Sequence, residues 1–130
     1  MSGTAHIENG RITSADIVFS RGFALYCWVH LEFEGSGQGF GGYVLGGNPF
    51  DTSAVCARHE TQKNLAADFI GGVMAVADVE KFSALPGKVI RVRRDSPFGT
   101  IEAIGHAFKD RWYVPKERFA FLAPAEGRQP

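Results

Sequence analysis

The sequence predicts an α+β fold, a mainly antiparallel β-sheet with one central helix and a short C-terminal helix. Strand-like runs fill the first third of the chain, one helical run follows, and a hairpin and a short helix complete it. Repeated strand–helix–strand units are missing from this pattern, which argues against a doubly wound sheet. The 130 residues, 45% of them hydrophobic, suit a single domain. We expect that domain to span residues 1–122 and residues 123–130 to be a flexible tail.

The N-terminal third is predicted to contain strands joined by tight turns. Ala5–Glu8 is expected to begin a short strand, and the Asn9-Gly10 pair is typical of a hairpin turn. Ile12–Ser20 then predicts a second strand. A further turn is expected at Arg21-Gly22.

Phe23–Phe33 is the clearest strand of the sequence, because its apolar residues alternate with a period of two. The side chains expected to face the core are Phe23, Leu25, Cys27, Val29, Leu31 and Phe33. The opposite face carries Tyr26, Trp28, His30 and Glu32. Two roles are open for the aromatic residues of that second face: packing under a helix or another subunit, or forming a wall of a ligand site.

The run Gly35–Gly47 contains seven of the sixteen glycines of the chain. Glycine lacks a Cβ atom, so such a run predicts a bend, a bulge or a surface where a ligand lies against bare backbone. Part of it matches G-x-G-x-x-G, but the dinucleotide fingerprint needs a helix next. A strand is expected instead at Tyr43–Leu45. The open alternatives are a backbone nest for phosphate and, as a purely structural role, a β-bulge or a tight crossing of strands.

The middle of the chain is predicted to hold a loop and the main helix. Gly46–His59 is expected to be the loop, and Thr61–Val79 has one apolar stripe at helical spacing. Two glycines within that helix, Gly71 and Gly72, predict close packing on a strand. One further helical turn is expected in Glu80–Leu85, followed by a turn at residues 86–87.

The last third is predicted to contain a hairpin, a short strand and a short helix. Arg91 and Arg93 are expected on one face of a strand and Ile90 and Val92 on the other. The final helix starts at Pro115 because proline is tolerated at the first helical position. The expected elements are the strands Lys88–Asp95, Thr100–Phe108 and Arg111–Val114 and the helix Pro115–Phe119, with turns at 96–99 and 109–110.

Residue types and spacing indicate neither a catalytic nor a metal site. The histidines His6, His30, His59 and His106 have no metal-type spacing with Cys, Asp or Glu. Cys27 and Cys56 are expected to be free thiols. A hydrolase acting on a small ligand is the least favoured class, because no nucleophile motif is present. We expect a protein that is not an enzyme and has no cofactor.

Charge and hydropathy indicate which classes of binding partner are unfavourable for this chain. The 14 basic residues balance 14 acidic ones, which argues against long nucleic acid and anionic membranes. The sequence also lacks a run long enough to span a bilayer and a signal peptide, so we expect a soluble intracellular protein. Arg91 and Arg93 have two open roles: solvated charges that protect an edge strand, or forks that bind phosphate.

Three segments together resemble a family of small proteins encoded by tailed phages and prophages: Gly37–Tyr43, Leu85–Val92 and Ala103–Trp112. The resemblance covers roughly residues 5 to 119. Within it, the chain is similar to the phage sponges that counter the Thoeris defence. Those proteins sequester signals of the cyclic ADP-ribose type between protomers without degrading them. The segment Asn48–Thr61 departs from the family pattern in length and content.

The resemblance implies a protein of the infected host's cytoplasm that binds a small anionic nucleotide as a homodimer or higher homo-oligomer. The residues expected to bind the ligand are Gln38, Gly39, Phe40, Gly41, Gly42, Tyr43, Phe82, Arg91, Arg93, His106, Lys109 and Trp112. The alternative function is a protein-binding inhibitor of a bacterial defence complex, of the anti-CRISPR type. That inhibitor would use the aromatic strand face as its interface.

Overall fold

The structure, a computed structural model, describes residues 6–20, 24–47, 65–96 and 99–122. Its architecture is the predicted α+β fold with a mainly antiparallel sheet. The strands are β1 (His6–Ser20), β2 (Ala24–Phe33), β3 (Ser36–Gly41), β4 (Gly46–Gly47), β5 (Val89–Arg94), β6 (Ile101–His106) and β7 (Trp112–Tyr113). The helices are α1 (Leu65–Ala77), α2 (Pro115–Leu122) and a single 3₁₀ turn, Phe82–Ala84.

One sheet holds all seven strands, in the order β3-β2-β1-β5-β6-β7, and β4 pairs with β2 beyond the end of β3. Every neighbouring pair is antiparallel. The period-two pattern of β2 is confirmed, since Cys27, Val29, Leu31 and Phe33 are buried and Trp28, His30 and Glu32 are exposed. The predicted hairpin is β5–β6.

Helices α1 and α2 pack on one face of the sheet. Phe69 of α1 is fully buried in the core, and Phe119 of α2 packs against it. Gly72 of α1 lies against the Tyr113 ring, which a Cβ atom there would approach to 2.4 Å. The predicted close contact of the helix is therefore confirmed at Gly72. We call the other sheet face, which carries Trp28, Arg91 and no helix among the residues described, the outer face.

The predicted turn at Asn9-Gly10 is wrong. Residues 6–20 form a single strand, in which Asn9 pairs with Arg91 and Gly10 with Ile90 of β5. Gly10 is buried beneath the ring of Phe33, which a Cβ atom at that position would approach to 2.5 Å. This glycine makes room for an aromatic ring instead of forming a turn.

The strand predicted at Tyr43–Leu45 is also wrong. Residues 42–45 form no strand, and pairing with β2 resumes only at β4. Between Trp28↔Gly41 and Leu25↔Gly46 the chain has four residues opposite two of β2. Gly41 and Gly42 take φ values of 120° and 79° there, which only glycine adopts easily. The glycine run therefore forms a bulge, one of the alternatives left open.

Strand β5 lies inside the sheet, between β1 and β6, so an edge-strand role for its arginines is excluded. Gly46 and Gly47, the first two residues of the predicted loop Gly46–His59, form β4 instead. The rest of that loop, the predicted turn at 21–22, Phe23 and the tail of residues 123–130 lie outside the described residues, as do Cys56 and His59. In the part of the chain that the structure describes, neither helix is long and apolar enough to cross a membrane.

Candidate functional site

Arg91, Arg93 and Trp112 lie together on the outer face, and we call them the arginine–tryptophan cluster. The register of the sheet explains this meeting, because Arg91 of β5 pairs with Gly105 of β6, and Gly105 pairs with Trp112 of β7. The indole lies over Gly105, where a Cβ atom would come within 2.7 Å of the ring. The guanidinium carbons of Arg91 and Arg93 lie 4.9 Å and 5.6 Å from the ring centroid, within cation–π range.

Arg91 is held by neutral groups. Its Nε donates a hydrogen bond to the carbonyl oxygen of His106 at 2.7 Å, and its Nη2 donates to that of Lys109 at 2.7 Å. The ion pairs found among the described residues do not include Arg91. Because carbonyl oxygens and an indole ring orient this cation without cancelling its charge, it can attract an anion.

Arg93 has a carboxylate partner. Its Nε lies 3.3 Å from Oε2 of Glu102, and both side chains are partly exposed. The neighbouring positions of β1 on the same face hold Asn9 opposite Arg91 and Ile7 opposite Arg93. With Glu102, the arginine–tryptophan cluster thus brings two cations and one carboxylate together. The amide of Asn9 and the exposed side chain of Ile7 flank them. The sequence analysis did not include Glu102 among the site residues. Its position on the strand expected to pair with that of Arg93 could have indicated it.

Trp28 lies on the glycine run and forms a second aromatic site on the outer face. A Cβ atom on Gly42 would come within 2.3 Å of the indole, and one on Gly39 within 3.1 Å. His30 stacks beside Trp28 with a centroid distance of 6.3 Å. These glycines support an aromatic side chain of the protein itself. Because β3 lies three strand spacings from β5, about 14 Å, the run does not adjoin the arginine–tryptophan cluster.

The remaining aromatic residues predicted to bind ligand pack into the core instead. Phe40 is only 1% exposed and stacks on Phe69. Tyr43 contacts the rings of Phe40, Phe69 and Phe119, and its burial raises the pKa of its hydroxyl. Phe82 also packs against the core. A ligand on the outer face would not meet these three side chains.

Gln38 forms part of a cluster around the buried cation Arg94, on the side of the sheet that faces the helices. Its Oε1 accepts a hydrogen bond from Arg94 Nε at 2.9 Å, and its Nε2 donates to the carbonyl oxygen of Gly99. Arg94 is 3% exposed, donates to Glu8 Oε2 at 2.9 Å and lies over the Phe33 ring. These contacts compensate the charge of Arg94 within the fold.

His106 is buried and organises the turn that holds Lys109. Its Nδ1 accepts hydrogen bonds from the backbone N–H groups of Phe108 and Lys109, so the proton of the neutral ring lies on Nε2. Nε2 lies 3.6 Å from a carboxylate oxygen of Asp78. The His106 ring therefore stabilises, from the buried side, the turn whose carbonyl oxygens orient Arg91. The Lys109 side chain itself is exposed.

Two depressions lie near the β2–β3 hairpin, away from the arginine–tryptophan cluster. One, of about 660 Å³, is lined by Thr13, His30, Glu32 and residues 35–39. The other, of about 470 Å³, contains Glu8, Glu34 and Arg94. Their charged groups are mostly carboxylates, or cations already paired with carboxylates. Charge therefore favours the outer-face arginines over these depressions as an anion site.

Cys27 is a buried free thiol. Burial, with a smaller contribution from the charge of Asp16, raises its pKa to about 11. The thiol is thus protonated at neutral pH, and a thiol is a far weaker nucleophile than a thiolate. Over the described ranges, His, Cys, Asp and Glu residues form no group of three that could hold a metal ion.

A polar network fixes the strand that carries Trp112 and was not anticipated from the sequence. Tyr113 donates a hydrogen bond to Asp68 Oδ2 at 2.8 Å, and Arg118 Nη2 donates to Asp68 Oδ1 at 2.8 Å. The hydrogen bonds from Arg118, with that from Tyr113, lower the pKa of the Asp68 carboxyl. Burial and the bond to Asp68 raise the pKa of Tyr113. This network joins β7 to both helices.

Comparisons of this chain with protein-family models, with curated proteins and with solved structures find no match.

Proposed function

We propose that this protein binds and sequesters a small anionic nucleotide of the cyclic ADP-ribose type, without cleaving it, in the cytoplasm of a phage-infected bacterium. The observation that carries the proposal is the fixed guanidinium of Arg91. It lies beside Arg93 on an open sheet face and has no carboxylate partner among the described residues. Two guanidinium groups on one surface suit the diphosphate of such a nucleotide, which they would bind through the N–H groups that the carbonyl oxygens and Glu102 leave unused.

The site that we propose is narrower than the set predicted from sequence. It consists of Arg91, Arg93 and the turn at Lys109, with Trp112 as the support that holds the arginines. Asn9 supplies an amide next to Arg91. The resemblance to the phage sponges adds the expectation that a second protomer closes the site over the ligand.

The first experiment measures capture and release. Purified protein is incubated with cyclic ADP-ribose isomers and with cyclic oligonucleotides, the unbound ligand is quantified, and the protein is then denatured by heat. Depletion followed by recovery of intact ligand supports a sponge. Permanent loss of ligand would indicate an enzyme, and no depletion of any ligand would contradict nucleotide binding.

Arg93 offers the cleanest variant, because Arg91 also supports the turn of residues 107–110. Arg93→Gln should weaken nucleotide binding about tenfold or more, as expected for a lost charge-assisted hydrogen bond. The matched control is Arg11→Gln, since Arg11 is also an outer-face arginine that pairs with a glutamate, Glu32, of the next strand. Equal affinities of the two variants would place the ligand elsewhere.

Glu102→Gln tests the same site through an expected increase in nucleotide affinity. The carboxylate of Glu102 competes with an anionic ligand for Arg93, so its removal should tighten nucleotide binding several-fold. The variant removes a charge and adds no volume. Weaker binding by Glu102→Gln would show that the glutamate contacts the ligand or that the arginines do not.

A second candidate function is inhibition of a host protein through the surface around Trp28. Trp28 is 38% exposed on the outer face, and large aromatic residues are frequent centres of protein interfaces. Charge reversal of the neighbouring Glu32 by lysine should then abolish inhibition of the host complex. Arg93→Gln should leave that inhibition unchanged.

A further inference from the structure

Among the described strands, half of strand β1 has only one neighbour in the sheet. Strand β5 pairs with β1 from His6 to Arg11, and Ile12 exchanges hydrogen bonds with Gly87 and Lys88. A bulge follows between Ile12 and Ser14. From there to Ser20, β1 pairs with β2 alone among the described strands. The backbone of residues 13–20 thus presents a free edge.

This free edge differs from the two outer edges of the sheet. The outermost strand on one side is interrupted by the bulge at Gly41, and β7 on the other side is two residues long. Interruption and shortness are common protections against pairing with another chain. Beyond the bulge at Thr13, the edge of residues 14–20 has neither, and its one charged residue is Asp16.

Three successive side chains of this edge are apolar and accessible. Ile17 and Phe19 are each 48% exposed, and Val18 is 42% exposed. Ile17 and Phe19 point to the same sheet face as their partners Cys27 and Leu25, while Val18 points to the outer face with Tyr26. An accessible apolar strand with unpaired backbone is a template for a further strand.

We propose that the free edge of β1 pairs antiparallel with the same edge of a second copy of this chain, with Val18 on the two-fold axis. In this register Val18 lies opposite Val18 of the second copy, and Ile17 lies opposite Phe19. Asp16 lies opposite Ser20. The sequence is therefore complementary to itself, as a two-fold interface requires. This inference is independent of the nucleotide site.

Two observations favour this register over one with its axis at Asp16. An axis at Asp16 would place two carboxylates opposite each other, which is unfavourable across strands. Gly87 and Lys88 already bond to the backbone of Ile12 on this edge of β1. A partner strand therefore fits best at the other end of the edge, near Ser20. In this register residues 16–20 of each copy pair, far fewer than the 20–30 residues per side of a standard interface. We therefore expect a dimer of micromolar affinity.

The dimer has a consequence for the rest of the molecule. A two-fold axis perpendicular to the sheet keeps both outer faces on one side. The two sheets would then form one continuous sheet with both arginine–tryptophan clusters on the same face. Each cluster would remain distant from the axis, because β5 does not extend along the pairing half of β1. This dimer therefore does not provide the second protomer that the resemblance predicts over the nucleotide site.

The test measures self-association of the full chain by sedimentation velocity across the micromolar range. Val18→Lys should weaken association about tenfold or more, because it places two lysines opposite each other. The matched control is Val89→Lys, since Val89 is 47% exposed on the same outer face but lies on β5. Circular dichroism verifies that both variants are folded.

A charge-swap experiment keeps the proposal falsifiable if the single variants behave poorly. Val18→Lys and Val18→Asp should each be mainly monomeric, and an equal mixture should form a heterodimer at least as tight as the unchanged protein. A monomeric unchanged protein, or equal association of Val18→Lys and Val89→Lys, would overturn the proposal. Tighter association of Val18→Lys alone would also overturn it, because that result places residue 18 opposite Asp16.

Discussion

Trp28 and Trp112 lie on the same outer face in the same way, but their surroundings differ. Each indole rests on glycine: Trp28 on Gly42 and Gly39, and Trp112 on Gly105. Two arginines cover Trp112, whereas Trp28 has His30 beside it and is 38% exposed. The comparison shows that the same packing device can support a charged surface at one place and an accessible aromatic surface at another.

The supports of the two tryptophans also differ. Gly42, one of the two glycines under Trp28, belongs to the bulge and has a positive φ value, whereas Gly105 pairs regularly with Arg91 of β5 and Trp112 of β7. Strand β7 carries Trp112, and the Asp68 network ties that strand to the helices. The Trp28 side therefore depends on backbone conformation, and the Trp112 side depends on side-chain contacts.

The largest effect is expected from breaking the bulge on the Trp28 side. Gly41→Ala should cost about 3 kcal/mol of unfolding free energy or more, because strained φ and a steric conflict add together. The φ value of Gly41 is 120°, and a Cβ atom would lie 2.3 Å from the backbone oxygen of Cys27. Denaturant unfolding measures the change, and Gly46→Ala is the control because a Cβ atom there meets nothing within 4 Å.

Truncation of the two tryptophans compares the sites directly. Trp112→Ala should destabilise the protein by about 2–3 kcal/mol, since it removes packing on Gly105 and two cation–π contacts. Trp28→Ala should cost about 1 kcal/mol, because the ring is more exposed. Thermal or urea unfolding of both variants checks the order. A larger loss of unfolding free energy for Trp28→Ala would contradict our view that Trp112 is the structural tryptophan and Trp28 the accessible one.

The pH dependence of stability should depend on the support of β7. The pKa of Asp68 is lowered in the folded protein, so its contribution is present above the unfolded value of about 3.9. It is lost as the pH falls through the folded pKa. We expect Asp68→Asn to show a smaller loss of melting temperature between about pH 5 and pH 2. If the loss of melting temperature at low pH were the same in Asp68→Asn and the unchanged protein, other carboxylates would dominate the acid destabilisation.

The smallest effects are expected from the two exposed ion pairs. Arg11–Glu32 and Arg93–Glu102 are both partly exposed, and such pairs contribute about 0–1 kcal/mol. Double-mutant cycles should give similar small coupling energies for the two pairs. Only the variants of the Arg93–Glu102 pair should also change nucleotide affinity. A coupling energy well above this range for Arg93–Glu102 would indicate a structural role for that pair.

Local patterns predicted most of the elements correctly. The alternation in β2 and the apolar stripe of α1 state which side chains face the core, because both periods follow directly from backbone geometry. The hairpin β5–β6 and the final helix at Pro115 were predicted for the same local reason. The arginines Arg91 and Arg93 were also predicted to share a face, which the structure confirms.

Local patterns failed where a distant residue decides the conformation. Asn9-Gly10 has the composition of a turn, but Phe33 of another strand covers Gly10, and both residues pair with β5. Arg94 differs from Arg93 by one position, yet Glu8, Gln38 and Phe33 bury it inside the fold. These partners are distant in sequence, so alternation cannot reveal them.

The sequence by itself determined the fold class, the strand and helix periodicities and the presence of a bulge-prone glycine run, because these follow from side-chain spacing and from the absence of a Cβ atom. Only the tertiary structure decided which glycines lie under which tryptophan. It also brought Trp112 to Arg91 and left half of β1 with a free edge. These outcomes depend on sheet register and strand order, which long-range packing selects.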